Sequence, residues 1–263
     1  MLHQYDWSES SLILDLFTRD SGRVVAAAKG AKRPYSQLRP VLLPFQRLTA
    51  SMSRSRADDP DAGEVQTLRH AEWAGGPVLP AGAVLFAGFY LNELVMRLVP
   101  RHDPHPALFD TYAAALERLA SRPGASSATL RAFELALLRE IGLLPELSVE
   151  TPSQQPVRPE GLYELRPELG VVQRHDDTGG LDRTALAGQQ LLALDAALAA
   201  RDVDFGRLAE ACSEGVAALK ASLQPLVHYH LGTSTLRTRE VLRGLQGLVA
   251  PAAAAGHDDT RTP

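Results

Sequence analysis

The chain has 263 residues, of which 45% are hydrophobic and 22% are charged, a balance typical of globular proteins with a packed core. Its one cysteine, Cys212, excludes an internal disulfide framework and any structural zinc site that needs two or more cysteines. The most apolar stretch, residues 84–99, includes Asn92, Glu93 and Arg97, which predicts a buried helix rather than a membrane span. The first residues do not follow the pattern of a secretion signal, so we expect a protein of the reducing cytoplasm.

The formal net charge of −4 hides an uneven distribution along the chain. Residues 21–56 contain no Asp or Glu, and their basic residues are Arg23, Lys29, Lys32, Arg33, Arg39, Arg47, Arg54 and Arg56. A solvated basic loop is one interpretation of this pattern, and a surface that meets a polyanion is the other. The complete absence of acids over this window favours the polyanion, and nucleic acid is the polyanion we expect.

We expect phosphate contacts from this window because Lys and Arg stay cationic at neutral pH. The candidates are Lys29, Lys32, Arg33 and Arg39, followed by Arg23 and Arg47. Aromatic residues are interleaved with them, and flat rings can stack on unpaired bases. Tyr35, in a predicted loop, is the candidate stacking residue, with an idle surface tyrosine as the alternative. Phe17 and Phe45 are better explained as core residues, and Trp7 fits either role.

Residues 1–76 predict a small barrel of short strands. Apolar, β-prone runs separated by turn signals occur at residues 12–18, 23–29, 41–52 and 65–73. A polar loop at residues 53–63 lies between the last two runs. Four or five short strands without a helical period are typical of such a barrel.

A Gly-Gly-Pro sequence at residues 75–77 marks the predicted boundary to a helical domain, residues 77–250. Amphipathic periods predict helices at residues 81–99, 106–119, 127–144, 182–201, 204–223 and 235–248. Residues 145–180 interrupt these helices, and two extended fragments, residues 161–165 and 170–173, could pair there as a hairpin. Residues 251–263 predict a disordered tail. The predicted fold class is therefore α+β.

No pattern in the chain indicates catalysis, a cofactor or a metal site. The sequence matches neither the phosphate-binding loop nor the nucleophile elbow. The pairs His102/His105 and His228/His230 do not supply the three or four converging ligands that a metal ion needs. Cys212 has no evident histidine partner and is better explained as a buried apolar residue than as a nucleophile.

Nine segments resemble, in consistent order, the RecO recombination-mediator family. In the N-terminal part they are residues 7–18 (WSESSLILDLFT), 22–24 (GRV), 28–33 (AKGAKR), 43–45 (LPF) and 67–72 (TLRHAE). In the C-terminal part they are residues 88–94 (GFYLNEL), 108–109 (LF), 130–134 (LRAFE) and 236–242 (LRTREVL). Each segment alone is short, but their common order makes the combination specific.

The resemblance implies an N-terminal OB-fold, a helical C-terminal domain, and a role in DNA repair and recombination without bond cleavage. Members of this family bind single- and double-stranded DNA and anneal complementary strands. They act with RecR and bind the acidic C-terminal tail of the single-stranded-DNA-binding protein (SSB), so that RecA can load on gaps. We therefore expect these partners and a cytoplasmic, nucleoid-associated location.

Binding of the SSB tail needs cations beside an apolar slot, because the tail ends in a carboxylate and apolar side chains. The candidate residues are Arg131, Lys220, Arg237 and Arg239. Each could instead be a solvated helix residue. Arg237 and Arg239 are two positions apart, so they cannot both face one pocket if their segment is helical.

The chain departs from the family in three places. Some relatives have four zinc-binding cysteines in the segment that corresponds to residues 145–180, where this chain has none, so we expect its hairpin to hold by packing alone. Relatives usually have several more residues at the start, so the first strand is either short or begins upstream. Relatives often have more basic residues near Lys220, where this chain has Ala221 and Gln224. We expect part of the cationic pocket to be weaker or displaced.

Two other classes of protein are alternatives to a DNA-binding mediator. A scaffold for RecR and SSB would use the helical domain and bind little DNA of its own. A nuclease or another DNA-processing enzyme would need clustered carboxylates around a metal ion.

Overall fold

A computed structural model of the protein describes residues 1–53, 65–174, 184–199, 203–233, 235–238 and 240–241. A five-stranded sheet forms the N-terminal part, and helices with a small sheet between them form the remainder. The α+β fold class predicted from the sequence is confirmed. Most of the predicted loop at residues 53–63, including Arg54 and Arg56, lies outside the described residues, as do the end of the last predicted helix and the predicted tail.

The N-terminal sheet has two edges, β1 and β4. Its strands are β1 (His3–Asp6), β2 (Leu12–Thr18), β3 (Gly22–Ala28), β4 (Leu48–Ser53) and β5 (Val65–Trp73). They lie in the order β1-β2-β3-β5-β4, and all neighbours are antiparallel except the parallel pair β3 and β5. The strands predicted at residues 12–18, 23–29 and 65–73 are confirmed to within one residue.

One face of this sheet encloses its own apolar core. Alternate residues of β2 and β3 point into it, as the two-residue period of a strand requires. These residues are Leu12, Leu14, Leu16, Val24, Ala26 and Ala28. The strand predicted at residues 41–52 forms only from Leu48 onward, because much of the chain before it is turn and irregular coil. Leu42, in that segment, packs into the core instead.

Besides helical residues at 237–238 and 240–241, the described part of the C-terminal region contains six α-helices. They are α1 (Ala83–Leu98), α2 (Pro106–Ser121), α3 (Ser126–Glu140), α4 (Gly188–Leu198), α5 (Phe205–Ala211) and α6 (Val216–Leu231). The prediction of one helix at residues 204–223 is wrong. Gly215, with φ 59°, interrupts it in a left-handed conformation that glycine adopts without strain. None of the described helices combines the length and the apolar character needed to cross a membrane.

A small antiparallel sheet interrupts the helices. It consists of β6 (Leu162–Arg166), β7 (Gly170–Gln173) and β8 (Leu186–Ala187), in the order β7-β6-β8. The predicted hairpin is confirmed by the pairing of β6 with β7. Its side chains Tyr163, Leu165 and Val171 are buried in the main hydrophobic core, so packing holds the hairpin against the helices.

The five-stranded sheet and the helices share part of that core. Phe17 of β2 contacts Phe109 and Tyr112 of α2, with ring centroids 5.6 Å and 6.1 Å apart. Phe45 packs against Phe89 of α1 at 4.9 Å. Both Phe17 and Phe45 are therefore core residues, and they join the sheet to the first two helices rather than facing solvent.

Candidate functional site

The segment that follows β3, residues 29–39, carries most of the candidate DNA-binding residues, and we call it the basic loop. It is built from consecutive turns. The amide of Arg33 donates to the carbonyl of Gly30 at 3.1 Å, and that of Ser36 donates to the carbonyl of Arg33 at 3.0 Å. The amide of Arg39 then donates to the carbonyl of Ser36 at 3.3 Å. These turns hold the basic side chains on one short, compact segment.

Three cations of the basic loop are exposed and unpaired. Lys29, Arg33 and Arg39 lie in solvent, and no described acidic side chain forms an ion pair with them. Tyr35, between them in sequence, is 95% exposed. An exposed ring among unpaired cations is the combination that binds single-stranded nucleic acid through phosphates and bases together. The basic loop thus carries five of the predicted residues, of which these four are exposed.

Lys32 connects the basic loop to the turn between β1 and β2. Its Nζ lies 2.9 Å from Oδ1 of Asp6 and donates to the carbonyl of Ser8 at 3.0 Å. Its backbone N–H donates to the carbonyl of Ser10 at 2.9 Å. The ion pair is exposed, so salt screens it and its contribution to stability is small. Lys32 therefore anchors the loop, and part of its charge is neutralised by Asp6.

Arg23 is corrected from a DNA-binding candidate to a structural residue. Its side chain is buried, and its Nη2 lies 2.8 Å from Oδ2 of Asp15. Its Nη1 donates to the carbonyl oxygens of Met96 and Val99 at the end of α1, the latter at 2.9 Å. A phosphate could reach this guanidinium only after these contacts were broken. Arg23 instead joins the sheet to α1.

Arg47 is exposed and lies just before β4, outside the basic loop. Its guanidinium carbon is 5.9 Å from the centroid of the Phe109 ring, a cation–π contact with α2. It also borders a cavity of about 610 Å³ between the sheet and α2. Arg47 remains a candidate for phosphate contact outside the basic loop.

A second cavity, of about 550 Å³, lies between α1, α3 and α6, and we call it the helical cavity. Arg131 and Lys220, two of the residues predicted to bind the SSB tail, are among its lining residues. Its apolar lining residues are Ala83, Phe86, Ala87 and Leu130. The cations and the apolar surface that an acidic, apolar-ended peptide needs therefore border the same cavity.

Arg131 is buried and forms an ion pair within the wall of the helical cavity. Its Nη2 lies 2.5 Å from Oε1 of Glu134, which also accepts a hydrogen bond from the Tyr90 hydroxyl at 2.5 Å. Nε of Arg131 and Oε2 of Glu134 have no hydrogen-bond partner among the described groups. A buried polar atom without a partner costs free energy, so a ligand that offered Nε an acceptor would recover part of that cost.

Cys212 lies close enough to Arg131 and Glu134 to interact with their charges. Burial raises the pKa of the Cys212 thiol to about 12, so it stays protonated at neutral pH. The prediction that Cys212 is buried is confirmed.

The chain that follows α6 is attached to α1 through Glu93. The backbone N–H groups of Arg237 and Thr238 donate to Oε1 and Oε2 of Glu93, both at 3.0 Å, and the Thr238 hydroxyl also donates to Oε2. Arg97 holds the same carboxylate, with its Nη2 3.4 Å from Oε1. Thr238 lines the helical cavity, whereas the side chain of Arg237 is exposed. Arg239 lies outside the described residues.

Sequence reasoning missed the polar residues that organise the helical cavity, namely Tyr90, Glu93 and Glu134. One signal was present, because Glu93 and Glu134 interrupt apolar helices and a buried acid requires partners. The partners themselves had no local signal. Thr238 is 145 positions from Glu93, so only the folded chain shows this contact.

These features define the class of the protein: an α+β protein whose exposed cations suit a polyanionic partner and whose helices hold a cavity with a cationic wall. Across the described ranges, no three His, Cys, Asp or Glu side chains come together in a way that could hold a metal ion.

Comparison with known proteins identifies the family. The model "Recombination protein O N terminal" matches residues 1–75, and "Recombination protein O C terminal" matches residues 81–240. DNA repair protein RecO of Polaromonas sp. (strain JS666 / ATCC BAA-500) is 48% identical over 249 residues, which cover 94% of this chain and 95% of that protein. DNA repair protein RecO of Variovorax paradoxus (strain S110) is 45% identical over 256 residues, with coverage of 94% and 95%.

The chain belongs to the RecO family of DNA repair proteins. The resemblance found in the sequence is thus confirmed, and with it a role in DNA repair and recombination. The N-terminal sheet is the OB-fold-like region of this family.

Proposed function

We propose that this chain is a recombination mediator that binds single- and double-stranded DNA and anneals complementary strands. In this proposal residues 1–76 are the DNA-binding domain and residues 77–250 receive protein partners. The protein acts with RecR and helps RecA to load on gaps covered by SSB, at the nucleoid in the cytoplasm, without cleaving bonds. The observation that carries the proposal is the basic loop, with the unpaired cations Lys29, Arg33 and Arg39 beside the exposed ring of Tyr35.

Charge neutralisation gives the physical basis of annealing. Two complementary strands repel each other through their phosphates, and cations that neutralise these phosphates lower the repulsion. None of the described carboxylates pairs with Lys29, Arg33 or Arg39, so these cations can contact phosphates without first losing such a partner. Lys32 contributes less, because Asp6 neutralises part of its charge. Sequence-independent contacts of this kind suit a protein that pairs strands of any sequence.

A titration with oligonucleotides over a series of salt concentrations tests this part of the proposal. We expect single strands and duplex both to bind, with an affinity that falls steeply as salt rises, because binding releases counterions. Annealing of two labelled complementary strands should accelerate under the same conditions. Absence of DNA binding at low salt would contradict the proposal and favour a scaffold. Cleavage of DNA on addition of a divalent metal ion would favour a nuclease.

We further propose that the helical cavity receives the C-terminal tail of SSB. The exposed Lys220 would meet the tail carboxylate, and Nε of Arg131, which is buried but has no partner among the described groups, would offer a second donor. The apolar side chains of the tail would contact the apolar lining around Phe86 and Leu130. Gln224 lines the cavity near Lys220, where relatives often have basic residues, so we expect binding of moderate strength.

A peptide that carries the acidic, apolar-ended SSB tail tests this assignment. We expect Lys220→Gln to weaken binding of the peptide, whereas Arg207→Gln, an equal change of charge at an exposed position on α5, should leave it unchanged. Peptide binding that is insensitive to Lys220→Gln, or unaffected by amidation of the peptide's C-terminus, would contradict the assignment.

A further inference from the structure

The edge strand β1 and the residue after it expose three rings at alternate positions. His3, Tyr5 and Trp7 are each two positions apart, so their side chains point to the same side of an extended segment. His3 and Tyr5 contact each other edge to face, with ring centroids 4.5 Å apart. Tyr5 is 49% exposed and Trp7 is 56% exposed. We call these three residues the aromatic strip.

Core packing does not account for the aromatic strip. All four residues of β1 are exposed, and β1 pairs with β2 along only one of its edges. A single exposed ring is ordinary on a protein surface, whereas consecutive rings on one side of an edge strand make a flat apolar surface. Such a surface next to cations is suited to bases that are not already stacked on one another.

The basic loop is bound directly to the end of the aromatic strip. Lys32 donates from its backbone to the carbonyl of Ser10, and the amide of Gly30 donates to Oγ of Ser11 at 3.4 Å. The amide of Trp7 donates to the carbonyl of Ser11 at 3.3 Å, so the same turn holds Trp7. The basic loop is thus hydrogen-bonded to the same short turn that holds Trp7.

The charges of this turn indicate which part of a nucleotide it contacts. Lys32 neutralises Asp6, but Glu9 remains exposed between Trp7 and the basic loop. A carboxylate at this position repels phosphate, whereas the uncharged faces of Tyr5 and Trp7 can accept bases. Phosphates therefore belong on the basic loop, and the aromatic strip offers stacking surfaces for bases in addition to Tyr35.

We propose that the aromatic strip stacks on unpaired bases and gives this protein a preference for single strands over duplex. The proposal rests on DNA binding by the basic loop and assigns a second, chemically different part to the same interface. In a duplex the base faces are already stacked, so only the phosphate contacts remain. On a single strand both sets of contacts form, and the stacking contribution is independent of salt concentration because it involves no net charge.

The double variant Tyr5→Ala/Trp7→Ala tests the proposal, with affinities measured for oligo(dT) and for a duplex of equal length. We expect the affinity for oligo(dT) to fall at least about fivefold, because stacking of one base on a ring contributes a factor of about five or more. The affinity for duplex and the salt dependence for both ligands should stay unchanged. Tyr229→Ala is the matched control, since Tyr229 is 52% exposed and contacts His230 edge to face on α6.

The conservative variant Tyr5→Phe/Trp7→Phe keeps the flat rings, so its affinity for oligo(dT) should equal that of the wild-type protein. An equal loss for both ligands, or no loss for either, would overturn the proposal. If the unchanged protein binds neither ligand, DNA binding by the basic loop fails, which is a result distinct from these.

A second measurement leaves the strip intact and does not depend on the folding of its variants. The chain contains two tryptophans, so in Trp73→Phe the selectively excited tryptophan fluorescence reports on Trp7 alone. We expect oligo(dT) to change this emission in a saturable way, with little change from duplex at equal occupancy, because only unpaired bases can stack on the indole. Equal changes with both ligands, or no change with oligo(dT), would overturn the proposal.

Discussion

Arg23 shows how a buried partner changes the role of a single cation. Two carboxylate oxygens of Asp15 and two backbone carbonyls at the end of α1 accept its hydrogen bonds. A cation so enclosed contributes to the junction of sheet and helix instead of to DNA binding. Removing only one partner of a buried ion pair leaves the other charge without compensation, which costs far more than the pair itself contributes.

We therefore expect Arg23→Met to lower the free energy of unfolding by about 3–5 kcal/mol, because Asp15 would remain buried and unpaired. The double variant Asp15→Leu/Arg23→Met should recover part of this loss. Chemical denaturation followed by circular dichroism measures both. A loss below about 1 kcal/mol in the single variant would show that the pair is solvated rather than buried.

Tyr112 connects α2 to α1 and to the segment before β1 through one chain of hydrogen bonds. Its hydroxyl donates to Oδ1 of Asn92 at 2.6 Å, and the Asn92 amide donates to the carbonyl of Leu2 at 2.7 Å. Burial raises the pKa of Tyr112 well above its ordinary value of 10.0. The folded protein therefore retains this proton at a pH where the unfolded chain releases it.

The sign of the resulting pH dependence follows from this raised pKa. Stability from Tyr112 is fully present below the unfolded pKa and falls above about pH 10, by up to about 1.4 kcal/mol per pH unit. The free energy of unfolding can be measured by denaturation at about pH 8 and about pH 11. Between these two values we expect it to fall less in Tyr112→Phe than in the wild-type protein, because the variant has no phenol to titrate. Equal losses in the two proteins would contradict a buried, neutral Tyr112.

At the scale of elements, the strands and helices with strong patterns were predictable. β2, β5 and α2 begin where the apolar period and the turn or proline signals place them. The single helix predicted at residues 204–223 failed because its amphipathic period continues across Gly215, and the pattern does not report backbone handedness there. The strand predicted over residues 41–52 is wrong in its first half. Leu42 is apolar because it packs into the core of the sheet, and its segment does not pair with a neighbouring strand.

Glu93 illustrates a contact between elements that no local pattern contains. A helix begins with backbone N–H groups that lack partners, and here a carboxylate from α1 accepts those of Arg237 and Thr238. Because Thr238 also lines the helical cavity, Glu93 fixes the position of one wall of that cavity.

We expect Glu93→Gln to accelerate hydrogen exchange at the amides of Arg237 and Thr238 by about fivefold or more, since loss of a capping acceptor costs about 1 kcal/mol. Nuclear magnetic resonance of the native protein measures these rates. Glu240→Gln, which removes an exposed carboxylate three positions from Arg237, is the control and should leave them unchanged. Equal exchange rates in Glu93→Gln and the unchanged protein would contradict the capping role.

At the scale of the whole molecule, the window without acids was visible in the sequence, but the cationic surface it produces was not. The predictable part was that a surface of mainly positive charge would follow β3. Asp6 and Asp15 precede the window in the chain, yet sheet pairing brings them to Lys32 and Arg23. The pairing of Phe17 with Arg23 places Asp15 diagonally opposite Arg23 on one face, so a correct strand register would have revealed that neutralisation.

The salt dependence of single-strand binding by Arg33→Gln/Arg39→Gln tests the central claim, that the basic loop contacts phosphates. Arg139→Gln/Arg207→Gln removes the same charge from exposed positions on the helices and serves as the control. For the loop variant we expect a lower affinity for single strands. The negative slope of log K against log salt should lose about 1.4 of its magnitude, because each phosphate contact on a single strand contributes about 0.7. The control should keep the original slope. A loop variant with unchanged affinity and slope would show that DNA, if bound, is held elsewhere on this molecule.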